Sequence, residues 1–221
     1  MKRLHFLLLG LALLLSFAMF SRYIKRGGLK DIDFAVTVKL QERIDTSSRL
    51  RLASLTGDVM EGSSFPASPM ISTIVIIFIT FLTFIKRKKW RFAALLILIA
   101  FALMTLAEIY GKSVVHHPAP PFFLLKNPTS IFPKYYIWED FSYPSGHAAR
   151  AMFLATLLFF TMKKRTWATL SLVLFVVLIS ISRIYLGHHW LSDVIGGLIL
   201  GSGSGLLTIG LLLSYNGNRN E

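Results

Sequence analysis

The chain has 221 residues, 54% of them hydrophobic, a formal charge of +13 and no cysteine. So apolar a composition excludes an ordinary soluble domain of this length, and the missing cysteines exclude disulfides and thiolate metal sites. The basic residues gather beside apolar runs rather than in any nucleic-acid motif, so they read as topology signals and lipid-headgroup contacts, with no nucleic-acid partner.

Met1-Lys2-Arg3 precedes an apolar run from Leu4 to about Phe20. Ser16-Phe17-Ala18 resembles a weak cleavage site, but the run is long for a signal peptide, so residues 1–24 are expected to be a retained first transmembrane helix. Lys25-Arg26-Gly27-Gly28 breaks it. Ile32, Phe34, Val36, Val38 and Leu40 alternate like a strand. Phe34, Val38, Gln41 and Asp45 also fit a short amphipathic helix, preferred here because a lone strand has no sheet to join. Leu50, Leu52, Leu55 and Val59 suggest another helix, and Gly62 to Pro69 is a turn. Residues 25–69 thus read as an amphipathic segment on the membrane surface, or a lid.

Five further runs follow: Met70–Ile85, Phe92 to about Tyr110, Pro144 to about Met162, Trp167 to about Leu186, and Trp190 to about Leu213. Each approaches the roughly 20 residues that cross a bilayer. The expected fold is all-α, a polytopic bundle of six transmembrane helices in one membrane domain over 1–221, with a five-helix catalytic core over 70–213. The proline- and phenylalanine-rich stretch from about His116 to Tyr143 reads as a substrate-facing loop. Gly196, Gly197, Gly201, Gly203, Gly205 and Gly210 mark a closely packed helix interface in the last run.

Lys86–Arg91 and Lys163–Arg165 are dense basic turns and should face the cytoplasm. The basic N-terminus agrees. Lys25, Arg26, Lys30, Lys39, Arg43, Arg49 and Arg51 in the first outward loop conflict, but charges in long loops count less. With this orientation Lys112, Ser145-Gly146-His147, Arg183, and His189 with Asp193 all reach the outer face. If the last run is helical, His189 and Asp193 are i and i+4. The carboxylate can then hold Nδ1–H and leave Nε2 free to attack.

Phosphoryl transfer suits such a set. Lys112 and Arg183 can neutralise phosphate oxygens. The backbone N–H groups of Ser145 and Gly146, at a helix start, add donors. His189 is the expected nucleophile, Asp193 its orienting partner and His147 the general acid and base. No metal or cofactor is needed, because the cations neutralise the charge. Histidine metal binding through His116, His117, His147, His188 and His189 is the rival reading, opposed by the nearby lysine and arginine. Glu108 can pair with Lys112 at i+4 as a structural contact.

Pro144-Ser145-Gly146-His147 and Ser182-Arg183-x5-His189-x3-Asp193 resemble the second and third motifs of the type 2 phosphatidic acid phosphatases, membrane relatives of the vanadium haloperoxidases. The likeness covers roughly residues 70–210. It implies an acid phosphatase/vanadium haloperoxidase-like helical bundle acting on a lipid phosphate through a phosphohistidine. Implied substrates are phosphatidate, phosphatidylglycerol phosphate or polyprenyl diphosphates, with undecaprenyl diphosphate ranked first. Implied partners are this lipid substrate and membrane lipids. The implied place is the plasma membrane, with the site facing the periplasm or cell exterior. The family's first motif, K-x6-R-P, departs here: Ala119 stands where the arginine is expected. His116 or His117 is expected to take over part of its phosphate contact, on a helix continuing from Lys112, and so to favour activity at mildly acidic pH. A lipid phosphotransferase and a non-enzymatic lipid-binding or transport protein are the alternative classes.

Overall fold

The computed structural model describes residues 2–46, 50–86, 91–126, 140–162 and 166–217. Among these, the elements in chain order are α1 (Lys2–Lys25), α2 (Lys30–Thr46), α3 (Leu50–Ser64), α4 (Pro69–Lys86), α5 (Arg91–Val115), α6 (Gly146–Thr161), α7 (Thr166–Tyr185) and α8 (Leu191–Gly217). Single 3₁₀ turns stand at Phe65–Ala67 and Phe122–Leu124. One isolated antiparallel bridge joins Pro118 to Phe141. Leu8, Ile77, Phe81, Leu103, Leu106 and Leu174 point outward, as lipid-facing side chains do. Helices suit that solvent because every interior backbone group is paired within the segment.

Each expected apolar run lies in a helix, and among the described residues four or five of these, against the six expected, have the length and hydropathy of a span. α1, α5, α7 and α8 are each long and apolar enough to cross a membrane. α4 qualifies jointly with the end of α3 across a 41° bend, which makes five. α6 has 16 residues, about 24 Å of helix, short of the ~30 Å hydrocarbon core. It buries Ala148, Ala149, Arg150, Ala151, Phe153 and Leu154. A helix walled by protein rather than lipid need not match the bilayer.

α8 is the axis on which the others lean. Gly197, Gly201 and Gly205, four apart, face Ser145, Ala149 and Thr156 on the α6 side. A Cβ at Gly205 would lie 2.9 Å from Thr156 Cβ. Gly203 and Gly210 meet Leu14 and Leu7 of α1. The absent side chains let three backbones approach closely, the interface expected of these glycines. Ile76, Ile97, Phe101, Met104, Phe153, Leu157 and Leu200 fill the space between α4, α5, α6 and α8.

The two ends of the bundle differ. At one, Phe6 of α1 meets Phe160 of α6 edge-on, with centroids 5.8 Å apart. At the other, Ser21 Oγ lies 2.9 Å from Tyr143 OH, and the polar motifs collect. The basic turns at 87–90 and 163–165, and residues 127–139 of the aromatic loop, lie outside the described residues.

α2 is a helix rather than a strand, but its faces are reversed from a soluble amphipathic helix. Asp33, Thr37 and Gln41 are buried at i, i+4 spacing, while Ile32 and Phe34 are exposed. The polar stripe points at protein because its partners are polar. Gln41 Nε2 donates to the carbonyls of Leu124 (2.7 Å) and Tyr185 (2.8 Å). Asp45 accepts from Tyr185 OH at 3.0 Å and pairs with Lys126. α2 is thereby laid across the site end of the bundle.

Candidate active site

The turn between α7 and α8 builds the centre. Arg183 sits in the last turn of α7, and its carbonyl accepts the N–H groups of His188 and His189, each at 3.1 Å. Gly187 adopts φ +68 there, and a Cβ would strike the Leu124 carbonyl. α8 starts at Leu191, so His189 precedes the helix instead of lying within it. His189 Nδ1 still faces the carboxylate, but at 3.6 Å from Asp193 Oδ2, longer than the hydrogen bond expected. Oδ2 also accepts the Trp190 N–H at 2.9 Å. A side chain thus reaches back to cap a helix start, satisfying one of its orphan donors.

His147 occupies the second position of α6, half-buried. It lies within electrostatic reach of Arg183, Arg150, His189 and His188. Ser145 is the N-cap residue of α6. Its backbone N–H donates to the Asp193 carbonyl at 2.9 Å and so is already engaged, contrary to its expected use as a phosphate donor. Its hydroxyl is buried without a hydrogen-bond partner, as is His189 Nδ1. Gly146 is required by close packing: a Cβ would collide with the Glu108 carboxylate. Gly111 backs onto Pro144, where a Cβ would lie 2.7 Å from Pro144 Cδ. This contact sets Lys112, half-buried in the last turn of α5, next to the start of α6.

Arg183 is 4% exposed. Nη2 donates to Ser64 Oγ at 2.6 Å, and Nη1 bonds His188 Nδ1 at 3.0 Å. Glu61 Oε2 of α3 stands 3.5 Å from Nη2. A guanidinium is always a donor, so His188 Nδ1 accepts and the ring is neutral. Burial, then the Arg183 charge and the neighbouring His189, hold the His188 pKa well below its ordinary 6.5.

The two histidines of the altered first motif part company. α5 stops at Val115, and His116 takes the left-handed φ of +54. The helix therefore does not continue through it, and Lys112 and His116 are not helical i, i+4 neighbours. Pro118 disfavours helix in the residue before it. His116 is exposed, its ring edge-on to Phe141 at 4.8 Å. His117 turns inward, 4% exposed, with Nδ1 2.9 Å from Asp193 Oδ1. Its Nε2 lies 3.9 Å from Asp33 Oδ2.

Asp33 escaped the sequence reading. Its carboxylate accepts the Ser192 N–H at 2.8 Å and the Ser192 hydroxyl at 2.7 Å, capping α8 from another helix. Burial pushes its pKa up, and the Ser192 bonds pull it back. Glu108 also behaves differently from expectation. It pairs with Arg150 Nη1 at 2.6 Å rather than with Lys112. A planar guanidinium on the facing helix satisfies the buried carboxylate better than a flexible lysine on its own.

The residues so gathered have the chemistry to meet an anion, and comparison with known proteins makes the class specific. The family model of the PAP2 superfamily matches residues 93–215, and the chain belongs to that family. It is 32% identical over 199 residues to an undecaprenyl-diphosphatase of Sulfolobus acidocaldarius, spanning 89% of this chain and 88% of that one. It is 30% identical over 152 residues to phosphatidylglycerophosphatase B of Bacillus subtilis, spanning 65% and 69% of the two chains. The crystal structure of a transmembrane PAP2 type phosphatidylglycerolphosphate phosphatase from Bacillus subtilis shares the fold. Its TM-score is 0.67 over 95% of this chain and 96% of that one, at 22% identity. The protein is a multi-pass membrane lipid phosphatase of the PAP2 type, which sets aside a non-enzymatic role.

Proposed function

We propose that the enzyme hydrolyses the phosphomonoester or diphosphate of a lipid, undecaprenyl diphosphate first, through a phosphohistidine on His189. The observation that carries this is the meeting of Arg183, His147, His189 and an unpartnered, buried Ser145 hydroxyl at one end of the bundle. His189 Nε2 attacks phosphorus and the P–N bond forms as the P–O bond to the leaving group breaks. His147 gives its proton to the leaving oxygen, then takes one from the water that cleaves the P–N bond and releases phosphate. Arg183 and Lys112 hold the equatorial oxygens, and the Ser145 hydroxyl supplies a further donor. The relative from Sulfolobus acidocaldarius supports a prenyl diphosphate substrate. The Bacillus subtilis relative supports phosphatidylglycerol phosphate as the second reading. The site faces the periplasm or cell exterior in this reading, opposite the basic turns.

The test is a panel of lipid phosphates offered to the purified protein. His189→Ala and His147→Ala should each lower turnover on the preferred lipid by at least about 10³-fold. His189→Ala should also abolish the phosphoprotein trapped by alkaline quench. Asp193→Asn should lose less, because an amide still positions the ring in part. Full turnover in His189→Ala would end the reading. Phosphate release that falls when an alcohol acceptor is added would instead identify a phosphotransferase.

A further inference from the structure

We propose that His117 and Asp33 are positioning residues for the reaction: together they hold Asp193 so that its second oxygen faces His189. The inference rests on the assignment of His189 as nucleophile. Four buried or half-buried groups form a line, Asp33, His117, Asp193 and His189, drawn from α2, the loop after α5, and the start of α8. Asp193 is fully buried, and each of its oxygens has a separate task. Oδ1 accepts from His117 Nδ1, while Oδ2 accepts the Trp190 N–H and faces His189. Without His117, Oδ1 would be a buried acceptor with no donor, and the carboxylate plane would be free to turn away from His189.

His117 is itself held on all sides. Its carbonyl accepts the Ser142 N–H at 3.0 Å, and the next carbonyl, of Pro118, accepts Trp190 Nε1 at 2.7 Å. Asp33 does two things at once: it faces Nε2 of His117 and fixes Ser192, the residue before Asp193. Both ring nitrogens of His117 are therefore aimed at carboxylates. A phosphate approaching that ring would meet the charges of Asp33 and Asp193. This role replaces the phosphate contact expected of the histidine. It also brings in a residue of α2, outside the part of the chain that defines the family.

The experiment uses the purified full chain in mixed micelles with the preferred lipid phosphate. It measures kcat, KM and competitive inhibition by inorganic phosphate. His117→Ala should lower kcat roughly 10- to 100-fold, the scale of a misaimed catalytic group. KM and the phosphate inhibition constant should stay within about 3-fold of wild type. His117→Asn, whose amide nitrogen can stand where Nδ1 stands, should recover much of the loss. Asp33→Asn, which keeps an acceptor for Ser192 but loses the charge facing Nε2, should lower kcat by a smaller factor at unchanged KM. If His117→Ala does not purify as folded protein, Asp33→Asn carries the same split. Unchanged kcat in His117→Ala and in Asp33→Asn overturns the proposal. So does a rise in KM and in the phosphate inhibition constant with kcat preserved, which would mark His117 as a phosphate ligand. Full turnover in His189→Ala overturns the phosphohistidine assignment instead, so the two failures are read from different variants.

Discussion

Two arginines are equally buried, each 4% exposed, and the molecule treats them differently. Arg150, inside α6, meets the Glu108 carboxylate at 2.6 Å and the Ala67 carbonyl at 3.0 Å. Its charge is met at close range, and it ties α6 to α5 and to the turn before α4. Arg183, at the end of α7, is held by a serine hydroxyl and a neutral imidazole, with the Glu61 carboxylate at 3.5 Å. Neutral acceptors can be exchanged for phosphate oxygens at little electrostatic cost, whereas a tight carboxylate cannot. On the proposed mechanism, Arg150 is a buried cation that builds the scaffold and Arg183 one that serves the substrate.

The most severe way to break this comparison is Arg183→Ala. It should lower kcat/KM by about 10²–10³-fold, as the loss of a preorganised donor does, while the thermal midpoint in detergent moves little. A collapse of the midpoint with turnover per folded molecule intact would assign Arg183 to the scaffold. Arg150→Ala should show the converse. Leaving Glu108 buried and alone should cost roughly 3–5 kcal/mol of stability. Glu108→Leu combined with Arg150→Met should recover most of that, since apolar residues of similar volume often replace a buried pair. Turnover lost without any change in stability would sink the scaffold role. The smallest effect concerns His188. Its folded pKa lies below 6.5, so its contribution to stability is complete above that value and is lost as pH falls from there toward the folded value. The thermal midpoint should drop on acidification below pH 6.5, and more shallowly in His188→Asn, which keeps an acceptor for Arg183. Equal slopes in the two proteins would show that His188 does not titrate in this way.

How much of this could be read beforehand depended on sequence distance. The helices stood out because apolar runs between charged breaks are local. Arg183, His189 and Asp193 were legible because the turn that joins them is short. The His117–Asp193 bond links residues 76 apart, and the Asp33–Ser192 bonds link residues 159 apart. No periodicity reports such pairings. α2 was recognised as helical, but which of its faces meets the protein was not legible. The pattern rule seeks an apolar core face, and in lipid the apolar side can lie outward. α6 was read as a full span from its apolar run, which does not reveal that the helix has only 16 residues and buries much of its surface in protein. The motif's Ser145 N–H was given to the substrate, when the Asp193 carbonyl already occupies it.

The capping of α8 by Asp33 has a consequence for anyone who would transplant this chemistry. A graft of residues 93–215 alone would arrive with the Ser192 amide unmet and with one neighbour of His117 left behind. The portable unit is larger than the stretch by which its kin are recognised, and any chimera must carry the second helix along with it.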